Sequence, residues 1–305
     1  MIVGLVGVGT MGSRMASRLL DAGHALCLHD VRPEALEPFV ARGAVAAGSA
    51  RAVADRAEVV LSSLPRPETV ADAILGPDGV LAGETVRTTI DLSTIGADAA
   101  REIHAAAAAR GLRALDAPVS GGPRGAEAGT LCIMAAGSRE AFDEHRDLLE
   151  VLGSELVFLG PDPGQGQTMK VLNNMVCAST LAATFEAMVL GAKAELDADA
   201  MLRVLQVSSG RNFHTEDKIG RNVLPGTFDY GFQLGLMLKD VGLCLALADE
   251  LGVPMPSSEA VRGLYEEAVR RSGETADITT LIAPLEEWAG AEVRSAGARG
   301  RKCGA

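Results

Sequence analysis

"IVGLVGVGTMGSRMASRLLDAGHALCLHDVRPE", Ile2 to Glu34, decides how the rest of this chain is read. Ile2–Val6 form an apolar run of the kind that makes a buried strand. Gly7-x-Gly9-x-x-Gly12 follows at once, and helical spacing of apolar residues opens after it, over 11–22. Each glycine has its own physical task. The first permits a tight turn, the second lets a pyrophosphate approach the backbone, and the third lets the helix pack against the strand. The helix N-terminus adds free N–H groups and the positive end of a dipole. Gly-x-Gly-x-x-Gly alone is a weak signal. Here a second strand, 25–29, leads to Asp30, 18 residues after Gly12, where a carboxylate reaches adenosine ribose hydroxyls. The candidate dinucleotide site is therefore Gly7, Val8, Gly9, Thr10, Met11, Gly12 and Asp30. Asp30 favours NAD, because the 2′-phosphate of NADP would meet its charge. Arg32 keeps NADP open, since a nearby arginine can receive that phosphate.

The chain has 305 residues, 48% of them apolar and 3% aromatic, enough for two domains with sizeable cores. A net charge of −12 argues against nucleic acid or an anionic membrane as the main partner. An anionic substrate then needs local cations or backbone N–H groups. Five cysteines (27, 132, 177, 244 and 303) stand singly and read as thiols of a reducing compartment. No basic segment precedes the first apolar run, and no stretch of about 18 uninterrupted apolar residues occurs. The expectation is a cytoplasmic protein with neither a signal peptide nor a membrane span. The histidines (24, 29, 104, 145 and 214) are too dispersed for a metal site. His214 is expected at the surface.

Strand signals at 2–6, 25–29, 57–63, 87–92, 112–116, 131–136 and 155–159 alternate with helical stretches such as 11–22 and 98–110. This implies a Rossmann-type, mostly parallel sheet covered on both faces. The pattern breaks at "GPDPGQGQ", 160–167, and helical spacing follows at 167–195, 197–207, 231–251, 257–271 and 277–289. The expected fold is an α/β dinucleotide-binding domain (1–163), then an all-α domain (164–291) for substrate and oligomerisation. A small, basic tail (292–305) is expected to be disordered.

Ligands of such sheets bind beyond the carboxyl ends of the strands. Three of those ends are unusual. "SSLPRPE" follows one, with Pro65 fixing the turn; "DLSTI" ends another with Ser93 and Thr94; "DAPVSGGPRGAEAGT" follows a third. A Ser-Gly-Gly turn at 120–122 can present successive N–H groups to an anion, with the Ser120 hydroxyl as a further donor. In "GQGQTMKVLNNMV", Lys170 and Asn174 share one helix face, with Asn173 beside them. A lysine on an apolar helix is costly without a task or a partner, and burial suits an amine to proton transfer.

At these residues the chain resembles the β-hydroxyacid dehydrogenases, the family of 3-hydroxyisobutyrate dehydrogenase and tartronate semialdehyde reductase. Four segments carry the resemblance in order: "GLVGVGTMGSRMA", "DAPVSGGPRGAEAGTL", "GQGQTMKVLNN" and "LMLKDVGLCLALADELGVPMP". It covers Ile2 to about residue 290. The resemblance implies a homodimer or homotetramer with an active site between the two domains. It implies that Lys170 is the catalytic acid/base and that Asn174 orients the substrate. Ser120, Gly121 and Gly122 match the turn that binds the substrate carboxylate. Lys239 matches a second lysine near substrate and nicotinamide, with Asp240 serving structure. Leu64, Pro65 and Thr94 match positions that line the nicotinamide and its ribose. The implied reaction moves a hydride between NAD, or NADP, and a small hydroxy or oxo acid.

"SSGRNF", 208–213, resembles a segment of the 3-hydroxyisobutyrate branch, with Phe213 in place of a tryptophan. This suggests a partly apolar pocket and a small 3-hydroxy acid. Arg211 leaves open a second carboxylate or a structural role, and reduction of tartronate semialdehyde or another small oxo acid is the alternative. Thr69 stands where that branch has an asparagine against the cofactor, and is left out of the site. A 6-phosphogluconate dehydrogenase would have a longer helical domain, and an imine reductase usually lacks the lysine. A non-catalytic NAD(P)-binding module is the rival of another class, and the presence of Lys170 weighs against it.

Overall fold

Short runs of β-branched and aliphatic residues, each flanked by a turn, become the strands of one sheet in the computed structural model, which describes residues 2–298. The strands are β1 (Ile2–Val6), β2 (Ala25–His29), β3 (Val45–Ala46), β4 (Val59–Ser62), β5 (Thr88–Asp91), β6 (Arg113–Asp116), β7 (Val119–Ser120), β8 (Cys132–Gly137) and β9 (Glu155–Gly160). All seven expected strands are present; β3 and β7, two residues each, had too little pattern to be read. The sheet order is β3-β2-β1-β4-β5-β6-β8-β7, with β9 on β8. From β3 to β6 every pairing is parallel, whereas β8 runs antiparallel to β6 and β7. The order reverses at β1 and β4, where the fold opens a crevice for a ligand.

Helices cover the sheet: α1 (Gly12–Asp21), α2 (Glu37–Val40), α3 (Ala50–Ala54), α4 (Pro67–Leu75), α5 (Ala97–Ala109), α6 (Gly122–Ala128), α7 (Arg139–Glu144) and α8 (Arg146–Glu150). α1 shows how sequence makes the layer. Its buried residues Gly12, Met15, Ala16 and Leu19 fall at helical spacing, and the other face stays polar. Met15 and Leu19 pack with Leu5, Leu28, Leu61 and Ile90 of the sheet in one core.

The remaining helices are α9 (Gln165–Lys193), α10 (Ala198–Val207), α11 (Phe213–Glu216), α12 (Leu234–Leu251), α13 (Pro256–Ser272) and α14 (Ala283–Ala289). Asp197 caps α10 by accepting from Ala200 N at 2.8 Å, and Gly252 ends α12 in the left-handed region at φ 66°. The chain divides into two compact units, one up to Val171 and one from Leu172, a division that falls inside α9. The second unit is helix-rich, around Phe185, Leu202, Val241 and Tyr265. α9 is long and apolar enough to cross a bilayer by length and composition, and half of its most apolar window is buried within the protein.

Residues 292–298 of the expected disordered tail are held in place. Val293 is fully buried, Arg294 pairs with Glu286 at 2.7 Å, and Ser295 Oγ donates to Asp199 at 3.0 Å. The rest of that expectation, 299–305 with Cys303, lies outside the described residues.

Candidate active site

The three glycines of the first loop differ in what a side chain would meet. Gly7 has φ +92°, and a Cβ there would lie 2.3 Å from the Ser63 carbonyl oxygen. At Gly12 a Cβ would lie 2.0 Å from the Gly7 carbonyl oxygen. Both are glycine because the protein packs on itself there. At Gly9 the nearest atom is Arg32 Nη2 at 3.8 Å, and φ is ordinary. The protein's own packing does not require glycine at position 9. Its bare backbone fits a pyrophosphate seated at the start of α1. Thr10 is exposed and its carbonyl accepts from Arg14 Nη1 at 2.6 Å; Met11 stands at the helix start, its carbonyl accepting from Met15 N at 3.1 Å.

Asp30 is tied to this loop. Its carboxylate accepts from Val8 N at 2.8 Å, from Arg32 N at 3.0 Å and from Arg32 Nε at 3.1 Å. Burial opposes its ionisation, but the Arg32 side chain and the two backbone N–H groups outweigh that and hold its pKa below the usual carboxylate value. The carboxylate is nearly covered while the Arg32 guanidinium is half exposed beside Gly9. Arg32 is therefore neither a free loop charge nor remote from the cradle.

A buried polar network runs along the carboxyl ends of β4, β5 and β6, where Ser62 is in register with Asp91 and Asp91 with Asp116. Ser62 Oγ donates to Asp91 Oδ1 at 2.6 Å, and Ser93 N donates to the same oxygen at 3.2 Å. Burial, reinforced by the Asp116 charge, raises the Asp91 pKa against these hydrogen bonds. Ser93 Oγ accepts from Leu64 N at 2.9 Å, so it joins the loop after β4 to the loop after β5. Leu64 and Thr94 are half-buried and Pro65 is exposed. Asp116 caps the start of α9, accepting from Gly164 N and Gln167 N, each at 3.0 Å.

Ser120 lies in β7 against Cys132 of β8, and the turn beyond it opens α6. Gly121 has φ +132° and Gly122 has φ +64°, two consecutive conformations that L side chains rarely adopt. The Gly-Gly pair after Ser120 is thus a backbone requirement of this turn. Lys170 is 8% exposed, one turn into α9 from Gln167. Its charge opposes the rise that burial and Glu155 impose on the Cys132 thiol pKa.

In the second unit, Asp240 joins two candidate residues. Asn174 Nδ2 donates to Asp240 Oδ2 at 2.6 Å, and Lys239 Nζ sits 2.9 Å from Asp240 Oδ1. Asn173 Nδ2 donates to Asn174 Oδ1 at 3.1 Å, which fixes which way the Asn174 amide faces. The structure thus brings Asn174 and Lys239 together through Asp240. It collects Gly7, Val8, Gly9, Asp30, Leu64 and Thr94 at one end of the sheet in the first unit.

In the 208–218 segment, one of the roles left open for Arg211 gains a partner, and the expectation for His214 changes. Arg211 pairs with Glu216, a partner within its own turn. His214 is fully buried rather than at the surface. Asn212 caps α11 through His214 N at 2.9 Å and Thr215 N at 3.3 Å, and this turns the imidazole inward. Its Nε2 donates to the Cys177 carbonyl at 2.8 Å, and Nδ1 has no partner. Sequence reading also passed over Gln167, Asp91 and Asp116. The only available signal was polar residues at strand ends and next to a glycine. Among the described residues no group of His, Cys, Asp and Glu is placed to hold a metal ion.

Residues 2–160 match the model of the NAD binding domain of 6-phosphogluconate dehydrogenase, and residues 164–285 that of NADP-dependent 3-hydroxyisobutyrate dehydrogenase. The chain is 40% identical to a 3-hydroxyisobutyrate dehydrogenase of Pseudomonas aeruginosa over 273 residues, 86% of this chain and 90% of that protein. It is 39% identical to the NAD-dependent L-serine dehydrogenase of the same organism over 287 residues, 92% of this chain and 96% of that one. The crystal structure of a 3-hydroxyisobutyrate dehydrogenase from Salmonella typhimurium superposes with a TM-score of 0.85 at 30% identity, covering 93% of this chain and 99% of that one.

Proposed function

The chain belongs to the β-hydroxyacid dehydrogenase family, and from that premise we propose that it oxidises a small 3-hydroxy acid of the 3-hydroxyisobutyrate type to its semialdehyde, or runs the reverse. As a member of that family it is an NAD(P)-dependent hydroxyacid dehydrogenase. 3-Hydroxyisobutyrate and L-serine, the substrates in the relatives' names, share one skeleton: a hydroxymethyl group on the carbon that bears the carboxylate. They differ only in that carbon's other substituent. The shared skeleton is what the catalytic groups act on.

When bound, the nicotinamide supplies the two-electron acceptor or donor for the hydride. The protein's residues do the rest. Lys170 takes the hydroxyl proton during oxidation and returns it to the carbonyl oxygen during reduction. Asn174 holds that oxygen with an amide whose direction Asp240 and Asn173 set. Ser120 and the Gly121–Gly122 turn hold the carboxylate, and Lys239 adds a cation held by Asp240. Acid–base help of this kind is worth about 10²–10⁴-fold. The observation that carries the reading is the buried amine of Lys170, one helical turn beyond a carboxylate-capped helix start at the carboxyl end of the sheet.

The test is reduced-nicotinamide absorbance with 3-hydroxyisobutyrate, 3-hydroxypropionate, glycerate, L-serine and threonate, each with NAD and NADP. Turnover of at least one 3-hydroxy acid is expected. NADH binding with no turnover across the panel would favour a non-catalytic module. An oligomer and a cytoplasmic location belong to the same proposal. A row of exposed apolar residues on α9, Leu172, Val176 and Leu190, suits a second copy of the chain. Light scattering of wild type and Val176→Glu checks this, with dissociation expected in the variant.

A further inference from the structure

We propose that Gln167 is a positioning residue of the reaction, its side-chain amide setting the register between the loop after β5 and the helix that carries Lys170. This rests on the acid/base role proposed for Lys170. Gln167 is fully buried. Its Oε1 accepts from Ile95 N at 2.9 Å and from Gly96 N at 3.2 Å, while its Nε2 donates to the Ser93 carbonyl at 2.9 Å. One amide thus meets three backbone groups of one loop, on both sides of Thr94. Its own backbone N–H is fixed by Asp116. An amide is the side chain that serves here, because two groups need an acceptor and the third needs a donor.

The contacts continue to the glycine loop without a break. The Ser93 hydroxyl accepts from Leu64 N, and the chain at Ser63 and Leu64 lies against Gly7 so closely that a Cβ there would meet both. From the start of the dinucleotide cradle to the lysine helix, every step is a buried or part-buried hydrogen bond or a close packing contact. Lys170 follows Gln167 by three residues, so the two side chains lie on neighbouring positions of one face. A sub-ångström slip of α9 against the loop moves the amine relative to whatever Thr94 and Leu64 hold. Misplacement of about 1 Å costs on the order of 100-fold in rate.

The experiment compares wild type, Gln167→Met and Gln167→Glu as full-length proteins, with 3-hydroxyisobutyrate and NAD, or L-serine if only that is oxidised. Methionine keeps the volume and removes all three hydrogen bonds. In the folded fraction, defined by NADH binding, kcat is expected to fall about 10–100-fold. The isotope effect with substrate deuterated at the hydroxymethyl carbon should rise, because hydride transfer becomes slower relative to product release. A glutamic acid keeps both donor and acceptor while protonated, and burial raises its pKa. The kcat of Gln167→Glu relative to wild type should therefore approach one at low pH and fall as pH rises. A merely structural amide would lower the unfolding temperature and leave kcat and isotope effect of the folded protein unchanged. That result in Gln167→Met overturns the proposal. If Gln167→Met does not fold, a flat ratio near one in Gln167→Glu overturns it instead. A wild type inactive on the whole panel overturns the dehydrogenase reading beneath it; an active wild type with an unimpaired variant overturns the positioning role alone.

Discussion

Lowering the pH should destabilise the second unit through His214. Burial, then the positive charge of Lys218, pushes its pKa from 6.5 to about 3, against the hydrogen bond to the Cys177 carbonyl. The folded protein therefore keeps the imidazole neutral, while the unfolded chain takes up a proton near pH 6.5. Between those values the unfolded state binds more protons, so stability present above pH 6.5 is lost as pH falls. At pH 5 the loss from this one group is about 2 kcal/mol. Any folded pKa below about 4 gives the same loss at that pH, so the figure does not depend on the depth of the shift. Burial also lowers the pKa of His145, which adds in the same direction, so wild type alone does not isolate the effect. His214→Gln does. A glutamine can donate to the Cys177 carbonyl and does not titrate. Urea unfolding at pH 8 and pH 5, followed by the fluorescence of Trp288, the chain's one tryptophan, reports on the unit that holds His214. Wild type should lose about 2 kcal/mol more than the variant between the two conditions. Equal losses in both proteins would refute the buried, neutral imidazole.

Other outcomes follow from the site. Lys170→Ala should lower kcat by about 10²–10⁴-fold while NADH binding, read by fluorescence titration, survives; near-normal turnover would defeat its acid/base role. Gly9→Ala should keep the wild-type unfolding temperature, because the added methyl makes only an ordinary contact with Arg32, and lose at least about tenfold in dinucleotide affinity, because it stands where the pyrophosphate approaches the backbone. Gly7→Ala should instead unfold at a markedly lower temperature, since its Cβ would lie 2.3 Å from the Ser63 carbonyl. Arg32→Ala should shift the ratio of kcat/KM for NADP over NAD toward NAD by about 10–100-fold, through loss of a charged contact to the 2′-phosphate. An unchanged ratio would assign Arg32 to the Asp30 ion pair alone.

What the sequence determined by itself was local. Strand runs and the 3.6-residue spacing of Met15, Ala16 and Leu19 are set by which face each residue must bury. The positions of Gly7, Gly121 and Gly122 are set by backbone angles that other residues resist. The spacing of Asp30 from the glycine loop, and of Asn174 from Lys170, is fixed by one strand and one helix. These signals need no knowledge of distant chain, and they placed the dinucleotide loop and the α/β-then-α order of the fold. Tertiary structure decided the polar pairings. Gln167 reaches back across 74 residues to Ser93, Asp116 caps a helix start 48 residues away, and Asp240 grips Asn174 across 66. A polar side chain finds its partner only where the packed backbone has already brought the two together and water has been excluded. Nothing in the neighbouring sequence carries that information. The same reason hid His214: its surroundings, "NFHTED", read as surface, and only the cap at Asn212 and the packing against Cys177 turn it inward.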